Sequence, residues 1–347
     1  MSKIRFFDAT LRDGSHAIKH QLTKETISDY CDAMDNAGMH VIVVGHGNGL
    51  GASSLQVGLS KLSDEEMLTT ARLHLKHTKL GAYMIPGFGT IRDNLIPAID
   101  IGVDLFKIGC HCTEADTTRQ HIEFLRSKDK EIYGVLMNYH MTSTERIIEE
   151  AKKMQSYGAQ GVILMDSAGA STPEMVKKTI SSLVDNLYIL VGFHPHNNMG
   201  LAVANGYIAI KEGASIIDGT IRGFGAGAGN VQLEALSALL SKEGYELNQR
   251  LYDMMDASEN IVRKAMTEDR ALTDVSIVSG MSGVFSSFKT QVLAVAKEYH
   301  VDPRDIFVEL GKLKVVGGQE DMIVAVADRL AHPVSQDTES YMLESLS

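Results

Sequence analysis

The sequence predicts an α/β fold, a closed (β/α)8 barrel followed by a helical C-terminal domain. Short runs rich in β-branched and aromatic residues alternate with longer amphipathic segments, which is the pattern of parallel β-α-β units. Eight such runs occur, and eight parallel strands close a barrel of this kind. Beyond about residue 244 the strand pattern stops, and the rest of the chain has the pattern of helices.

The predicted strands are short and apolar, and most of them end in polar residues. In chain order they are KIRFFDAT, HVIVVGHG, LGAYMIPG, LFKIGCHC, IYGVLMNYH, GVILMDSAG, YILVGFHPH and SIIDGTIRGF. No G-x-G-x-x-G motif follows the first strand, which argues against an open dinucleotide-binding sheet. We therefore predict a TIM barrel.

Amphipathic helices are predicted between the strands, for example TKETISDYCDAMDNAG, DEEMLTTARLHLKH and STERIIEEAKKMQSYGA. Glycines at Gly38, Gly158 and Gly213 follow good helix formers, which is the usual left-handed stop of a helix. The later predicted helices are LYDMMDASENIVRKAM, SFKTQVLAVAKEYH, DPRDIFVELGKL and EDMIVAVADRL. We expect a catalytic barrel over residues 1–245 and a helical, partner-docking domain over residues 246–347.

The bulk composition excludes several classes of protein. The chain has 347 residues, a formal net charge of -11 and no run of Lys and Arg, so nucleic acid and anionic membranes are not expected partners. No apolar stretch approaches the roughly 20 residues that span a bilayer, and the N-terminus lacks a signal-peptide core. Three cysteines make no disulfide framework, which favours a reducing, cytoplasmic location. Cys110 and Cys112 are a weak C-x-C metal candidate, and we prefer to interpret them as small barrel-filling residues.

Polar side chains follow most of the predicted strands, at the end of the barrel where βα loops carry chemistry. They include Arg12, Asp13, Ser15 and His16 after strand one, His46 after strand two, His111, Cys112 and Glu114 after strand four, Asn138 and His140 after strand five, Asp166 and Ser167 after strand six, and His194, His196, Asn197 and Asn198 after strand seven. Strand eight runs into GFGAGAGN, which is either an anion-binding loop or a tight turn.

The H-x-H pair is the strongest metal signal in the sequence. His194 and His196 are two residues apart on a strand and so share a face. Two imidazoles with one carboxylate commonly bind a divalent cation, and barrel closure places Asp13 near them. Strict alternation along strand one would put Asp13 on the opposite face from Asp8. We therefore expect the chain to have left the strand by then, which Gly14 would allow.

Six motifs together resemble one enzyme family. ATLRDGSHAIKHQ, HCTEAD, DSAGA, HPHNN, GAGAGN and VGGQEDMI resemble the 4-hydroxy-2-oxovalerate aldolases over essentially the whole chain. These are metal-dependent pyruvate aldolases of the superfamily that includes isopropylmalate synthase and HMG-CoA lyase. The resemblance implies a lyase that cleaves or forms 4-hydroxy-2-oxovalerate from pyruvate and acetaldehyde, in aromatic hydrocarbon catabolism.

The resemblance also implies a cofactor and roles for particular residues. It implies a divalent ion, usually manganese, at Asp13, His194 and His196, although such ligands also suit Co²⁺, Mg²⁺ or Zn²⁺. The residue matching Arg12 steadies the pyruvate enolate, and the residue matching His16 acts as acid and base on the 4-hydroxyl.

Ser167 and His194 are implied to contact the pyruvate part of the substrate. No lysine lies in the matched set, which disfavours a Schiff-base mechanism. In the family the helical domain docks an acylating acetaldehyde dehydrogenase, so a homo- or hetero-oligomer is expected.

One stretch departs from the family pattern. The family usually has GYAGVYSSF where this chain has GMSGVFSSF, so Met281 and Phe285 replace two tyrosines. The second of those tyrosines lies beside the catalytic histidine in the family, near the aldehyde. Either a hydroxyl is simply missing here, or Phe285, Met281 and Ile85 form the wall of a pocket for a more apolar aldehyde.

Three alternative functions remain open on the sequence alone. The first is the same pyruvate chemistry run toward condensation with a different aldehyde in a biosynthetic pathway. The second is an acyl-CoA lyase or synthase on the same barrel. The third is a scaffold for an aldehyde dehydrogenase, with its own catalysis impaired.

Overall fold

The computed structural model describes residues 4–332 and shows a closed barrel of eight parallel strands in the order β1 to β8, with β8 paired to β1. The strands are β1 Arg5–Asp8, β2 Val41–Val43, β3 Lys79–Met84, β4 Leu105–His111, β5 Glu131–Met137, β6 Gly161–Asp166, β7 Leu190–Pro195 and β8 Ile216–Gly219. Each overlaps the segment predicted for it, so the predicted barrel is confirmed.

Helices surround the barrel and then form the C-terminal region. Those between and after the strands are α1 Gly14–Ala17, α2 Lys24–Asn36, α3 Asp64–His74, α4 Ile96–Ile101, α5 Arg119–Arg126, α6 Thr144–Tyr157, α7 Pro173–Asn186, α8 Ala202–Lys211 and α9 Leu233–Lys242. The later helices are α10 Leu251–Ala257, α11 Arg263–Ala265, α12 Asp274–Ser282, α13 Lys289–Tyr299, α14 Pro303–Lys312 and α15 Asp321–Ala331. Residues 1–3 and 333–347 of the two predicted domains lie outside the described part of the chain.

The helix ends follow the expected local chemistry. Ser63 and Glu66 form a reciprocal capping box at the start of α3, which satisfies two free backbone N–H groups. Gly38, Gly158 and Gly213 have φ values of 78°, 112° and 98°, so the predicted left-handed stops are confirmed.

Three buried clusters organise the chain. One lies inside the barrel and contains Phe7, Tyr83, Tyr133 and Met165. A larger one lies between the strands and the surrounding helices, and it extends to Met254, Ala257 and Val262 after α9. A third, from Val275 to Ala327, holds α12 to α15 together. The domain boundary after residue 245 stays a prediction. Helix α10 follows this boundary in the chain, but it packs in the same cluster as the barrel.

Two smaller expectations can be compared with the structure. Cys31, Cys110 and Cys112 are all buried and unpaired, as expected without a disulfide framework. Among the described residues, no helix combines the length and apolar character needed to cross a membrane.

Candidate active site

The three predicted metal ligands meet at the carboxyl end of the barrel. Oδ2 of Asp13 lies 3.3 Å from Nε2 of His194 and 3.8 Å from Nε2 of His196. One ligand atom from each residue lies within 4.8 Å of the others, and all three side chains are buried. In residues 4–332 this is the one group of three or more His, Cys, Asp or Glu side chains close enough to hold a cation.

Asp13 reaches this position because the chain has already left the first strand. β1 ends at Asp8, and the backbone N–H of Asp13 donates to the Ala9 carbonyl at 2.7 Å, which closes a turn. The expectation that Gly14 supplies unusual backbone freedom is wrong, because Gly14 has no left-handed φ. A Cβ at Gly14 would instead lie 2.3 Å from the ring of Phe224. Glycine is therefore needed for close packing at this position.

A fourth side chain, that of Asn230, lies among the ligand atoms and was missed by sequence reasoning. Its Nδ2 is 2.9 Å from Nε2 of His194, 3.4 Å from Nε2 of His196 and 3.5 Å from Oδ2 of Asp13. Its Oδ1 is buried and has no hydrogen-bond partner. Because the two ends of an amide can exchange, this residue can also offer an oxygen to a cation. The donor set therefore fits a divalent metal ion.

The charge balance of this group depends on its burial. Burial alone would raise the pKa of Asp13, but the Arg12 guanidinium and the two imidazoles hold that pKa well below its usual range. Burial lowers the pKa of His196 to about 3, so this ring is neutral at physiological pH. Burial opposes a charge on His194 as well, but the Asp218 and Asp13 carboxylates raise its pKa above the usual value. Protons therefore compete with a cation for His194.

Arg12 brings unused hydrogen-bond donors to the site. Its Nη1 donates to Oδ2 of Asp13 at 3.0 Å and to the Gly47 carbonyl at 3.3 Å. Its Nε and Nη2 are buried without a partner. The guanidinium also lies over the ring of Tyr83, with Cζ 4.9 Å from the ring centroid. Buried guanidinium donors without partners are suited to a carboxylate or an enolate.

A small inner cavity lies beside these groups and has both polar and apolar lining. Its polar lining residues are Arg12, Asp13, His16, Ser167 and His196. Its apolar and aromatic lining residues include Tyr83, Ile85, Met137, Met165 and Phe285. The cavity volume is ≈ 20 Å³, room for about one water molecule. It adjoins an outer cavity of ≈ 500 Å³, and His16 lines both.

The predicted pocket residues divide into three groups. Phe285, Ile85 and Ser167 line the inner cavity. Met281 does not, because its side chain is 66% exposed at the surface, so the expectation that it forms part of the aldehyde wall is wrong. His194 is fully buried and does not line the cavity, although it lies beside Asp13, which does.

His16 is held by a cluster of aromatic rings and by Gly47. Its ring lies edge-on to His20, with centroids 5.1 Å apart, and His20 stacks on His46 at 3.6 Å. A Cβ at Gly47 would lie 2.4 Å from Nε2 of His16, so no larger residue fits beneath this ring. Enclosure lowers the pKa of His16 below 6.5, although the Asp13 carboxylate partly opposes this effect.

The segment between α12 and α13 closes one side of the cavity. The backbone N–H and Oγ of Ser286 donate to the Ser167 carbonyl at 3.1 and 2.8 Å. Asn198 donates to Oγ of Ser286 at 3.0 Å, and Nε2 of His140 lies 3.1 Å from the Gly283 carbonyl. These contacts fix Phe285 at the mouth of the barrel.

The barrel and its buried Asp/His/His group define a class of barrel enzymes that use a divalent metal. Residues 3–261 match the HMGL-like family model, and residues 270–332 match the DmpG-like communication domain. The carboxyl transferase domain of pyruvate carboxylase from Rhizobium etli has a similar fold, with a TM-score of 0.79 at 13% identity over 96% of this chain and 61% of that chain. The HMG-CoA lyase from Brucella melitensis superposes with a TM-score of 0.66 at 14% identity over 77% of this chain and 100% of that one.

Curated relatives identify the family more closely. The 4-hydroxy-2-oxovalerate aldolase of Pectobacterium atrosepticum is 52% identical over 95% of this chain and 96% of its own length. The enzyme of that name from Spirochaeta aurantia is 50% identical over 93% of this chain and 95% of its own length. The chain belongs to the 4-hydroxy-2-oxovalerate aldolase family. The names of these relatives lend no support to the acyl-CoA or scaffold alternatives.

We predict that His194→Ala weakens the binding of Mn²⁺ by at least roughly 100-fold, because even a residue outside the ligand set changes metal affinity about 10–100-fold. Isothermal titration of the metal-free protein measures this. His111→Ala is the matched control, since His111 also ends a strand but bonds to Thr113 away from the ligands. Equal affinity in the wild type and in His194→Ala would contradict the ligand assignment.

Proposed function

We propose that this protein is a divalent-metal-dependent lyase that cleaves 4-hydroxy-2-oxovalerate to pyruvate and acetaldehyde, and that it forms the same bond in reverse. The observation that carries the proposal is a buried Asp/His/His group beside a cavity that unpaired guanidinium donors and a neutral histidine also line. The names and near full-length similarity of the relatives support it.

The metal site supplies the electron sink of the reaction. Asp13, His194 and His196 would hold the ion, with Asn230 beside them. A divalent cation, when bound, acts as a Lewis acid toward the oxygens of a 2-oxo acid. We propose Mn²⁺ as the native ion, and Co²⁺, Mg²⁺ and Zn²⁺ suit the same donors.

Arg12 supplies a fixed positive charge for the pyruvate part. Its unpartnered Nε and Nη2 can donate to the carboxylate and to the enolate oxygen that forms as the C3–C4 bond breaks. Ser167 also lines the cavity, and its hydroxyl can donate to the carboxylate. The proposed substrate contact of His194 is limited to the metal position, because this ring does not line the cavity.

His16 is the proposed acid and base. It lies between the inner and outer cavities, where the 4-hydroxyl and the departing aldehyde would be placed. In cleavage its neutral ring accepts the proton of the 4-hydroxyl while the C4 carbon becomes the aldehyde carbonyl, and the enolate left by the broken C3–C4 bond takes up a proton at C3 to give pyruvate. In condensation the same ring returns that proton to the new alkoxide.

The C-terminal helices are the proposed docking site for an acylating acetaldehyde dehydrogenase. The match of residues 270–332 to a communication domain supports an association of this kind. Ile277 and Met281 lie four residues apart on α12 and are 45% and 66% exposed, so they present an apolar face there. Phe285 follows α12 closely, which places this face near the aldehyde end of the cavity.

The proposed activity predicts release of pyruvate from 4-hydroxy-2-oxopentanoate by the purified protein with Mn²⁺. A lactate dehydrogenase-coupled assay follows the product, with a chelator-treated sample and an acyl-CoA substrate as controls. Pyruvate release that is unchanged by the chelator would remove the metal from the mechanism, and no release with any of the four ions would refute the aldolase assignment.

A second prediction concerns pH. Because the proposed base, His16, must be neutral and its pKa is lowered from 6.5, kcat/KM for cleavage should stay high at pH 6.5 and fall only in more acidic buffer.

The variant Gly47→Ala tests the placement of the same ring, because its new methyl displaces His16. It should lower kcat roughly tenfold and leave the Kd for Mn²⁺ unchanged, since a misplaced base loses part of its 10²–10⁴-fold effect. With Mn²⁺ at a saturating concentration at every pH, a wild-type acid limb above pH 6.5, or full activity of Gly47→Ala, would contradict the role of His16.

A third prediction concerns the aldehyde. The apolar surroundings of Phe285 favour a pocket for an alkyl chain over a pocket that merely lacks a hydroxyl. Phe285→Tyr should therefore lower kcat/KM for condensation of pyruvate with butanal roughly tenfold relative to acetaldehyde, because a buried hydroxyl without a partner costs about 1–3 kcal/mol. Met281→Tyr restores the other family tyrosine at the exposed position and should change neither rate. A rise in the acetaldehyde rate of Phe285→Tyr with no loss on butanal would favour the missing hydroxyl.

A further inference from the structure

A buried ion pair crosses the interior of the barrel beneath the metal site. Lys107 lies on β4 and Asp218 on β8, which stand on opposite sides of the closed barrel. Both side chains are 0% exposed, and Nζ of Lys107 donates to Oδ2 of Asp218. Lys107 lines neither cavity, so it is not placed to form a Schiff base with the substrate.

Stability alone is a weak reason for such a pair. Removing two charges from water costs several kcal/mol for each ion, and well-packed apolar residues often replace buried pairs without loss of stability. Most of the cluster inside this barrel is apolar, with residues such as Val41, Val135 and Ile163. The position of the pair therefore calls for an explanation in terms of the neighbouring site.

The second oxygen of Asp218 points at a metal ligand. Oδ1 of Asp218 lies 3.4 Å from Nδ1 of His194, a charge contact and not a formed hydrogen bond, and both atoms are buried without a hydrogen-bond partner among the described residues. The opposite nitrogen of the ring, Nε2, faces Oδ2 of Asp13 at 3.3 Å. His194 thus stands between two carboxylates, and Nδ1 of His196 has no such neighbour in residues 4–332.

We infer that Asp218 and Lys107 are positioning residues for His194. Asp218 accepts the Nδ1–H of the ring, which leaves the lone pair of Nε2 directed at the cation position. Lys107 anchors the Asp218 carboxylate and compensates its charge, so that the charge of the cation is balanced by Asp13. The inference rests on the metal site of the proposed function, and it assigns roles to two residues that do not touch the ion or the substrate.

The test measures the affinity of the metal-free protein for Mn²⁺ by isothermal titration. Asp218→Asn should weaken binding about 10–100-fold, the usual effect of removing a partner of a ligating histidine. Since that variant leaves Lys107 buried without its counter-charge, the double variant Lys107→Met/Asp218→Asn removes both charges and should fold with the same loss of affinity. Lys107→Arg keeps the counter-charge and should bind Mn²⁺ more tightly than the double variant.

Glu150→Gln is the matched control, because Glu150 is another fully buried carboxylate in two ion pairs, but it lies on α6 and bonds to Ala115. It should bind Mn²⁺ like the wild type. A wild-type protein that binds no divalent ion would refute the proposed metal site itself. If the wild type binds Mn²⁺ and the folded double variant binds it equally well, only the positioning role is refuted.

A measurement on the unaltered protein decides the question even if the variants do not fold. With Mg²⁺ bound and histidine labelled with ¹⁵N, the Nδ1 proton of His194 should resonate downfield of the Nδ1 proton of His196, because the Asp218 carboxylate faces the first ring nitrogen and no carboxylate among the described residues faces the second. The buried ring of His46 does not interfere, because its Nδ1 accepts the backbone N–H of Asn48. Nδ1 protons of His194 and His196 at the same chemical shift would overturn the inference.

Discussion

The buried carboxylate of Asp13 is the group on which the rest of the site depends. It is held by the Arg12 guanidinium, by the backbone N–H of Ala226 at 3.0 Å and by the two imidazoles across the β7 end. These groups come from the loops after strands one, seven and eight, and only closure of the barrel by β8 against β1 brings them together. A buried carboxylate with so many donors stays charged, and that charge suits a divalent cation.

The C-terminal region contributes to the same cavity without carrying a ligand. Ser286 is tied to the Ser167 carbonyl of the barrel, and this contact places Phe285 at the cavity. Ile85 and Met137 of the barrel and Phe285 of the C-terminal region thus line one cavity.

The alternating pattern of strands predicted the barrel, and the two-residue spacing of His194 and His196 predicted the imidazole pair. Other features required three-dimensional packing. Asn230 ends a glycine-rich loop whose sequence is equally compatible with anion binding and with a tight turn. Only the backbone bridge between Asn230 and His196 in the folded chain brings its side chain beside the two imidazoles. Lys107 is a single charge inside an apolar strand, and its partner Asp218 is 111 residues away. The exposure of Met281 depends on how α12 packs, which the motif in the sequence does not encode.

The most direct test of the account is a crystal structure of the protein grown with Mn²⁺ and pyruvate, with diffraction recorded on both sides of the manganese absorption edge. The account predicts one strong anomalous peak between Oδ2 of Asp13 and the Nε2 atoms of His194 and His196, with the pyruvate oxygens between this ion and Arg12. A peak elsewhere in the barrel, or pyruvate bound in the same cavity with no ion beside these three residues, would contradict it.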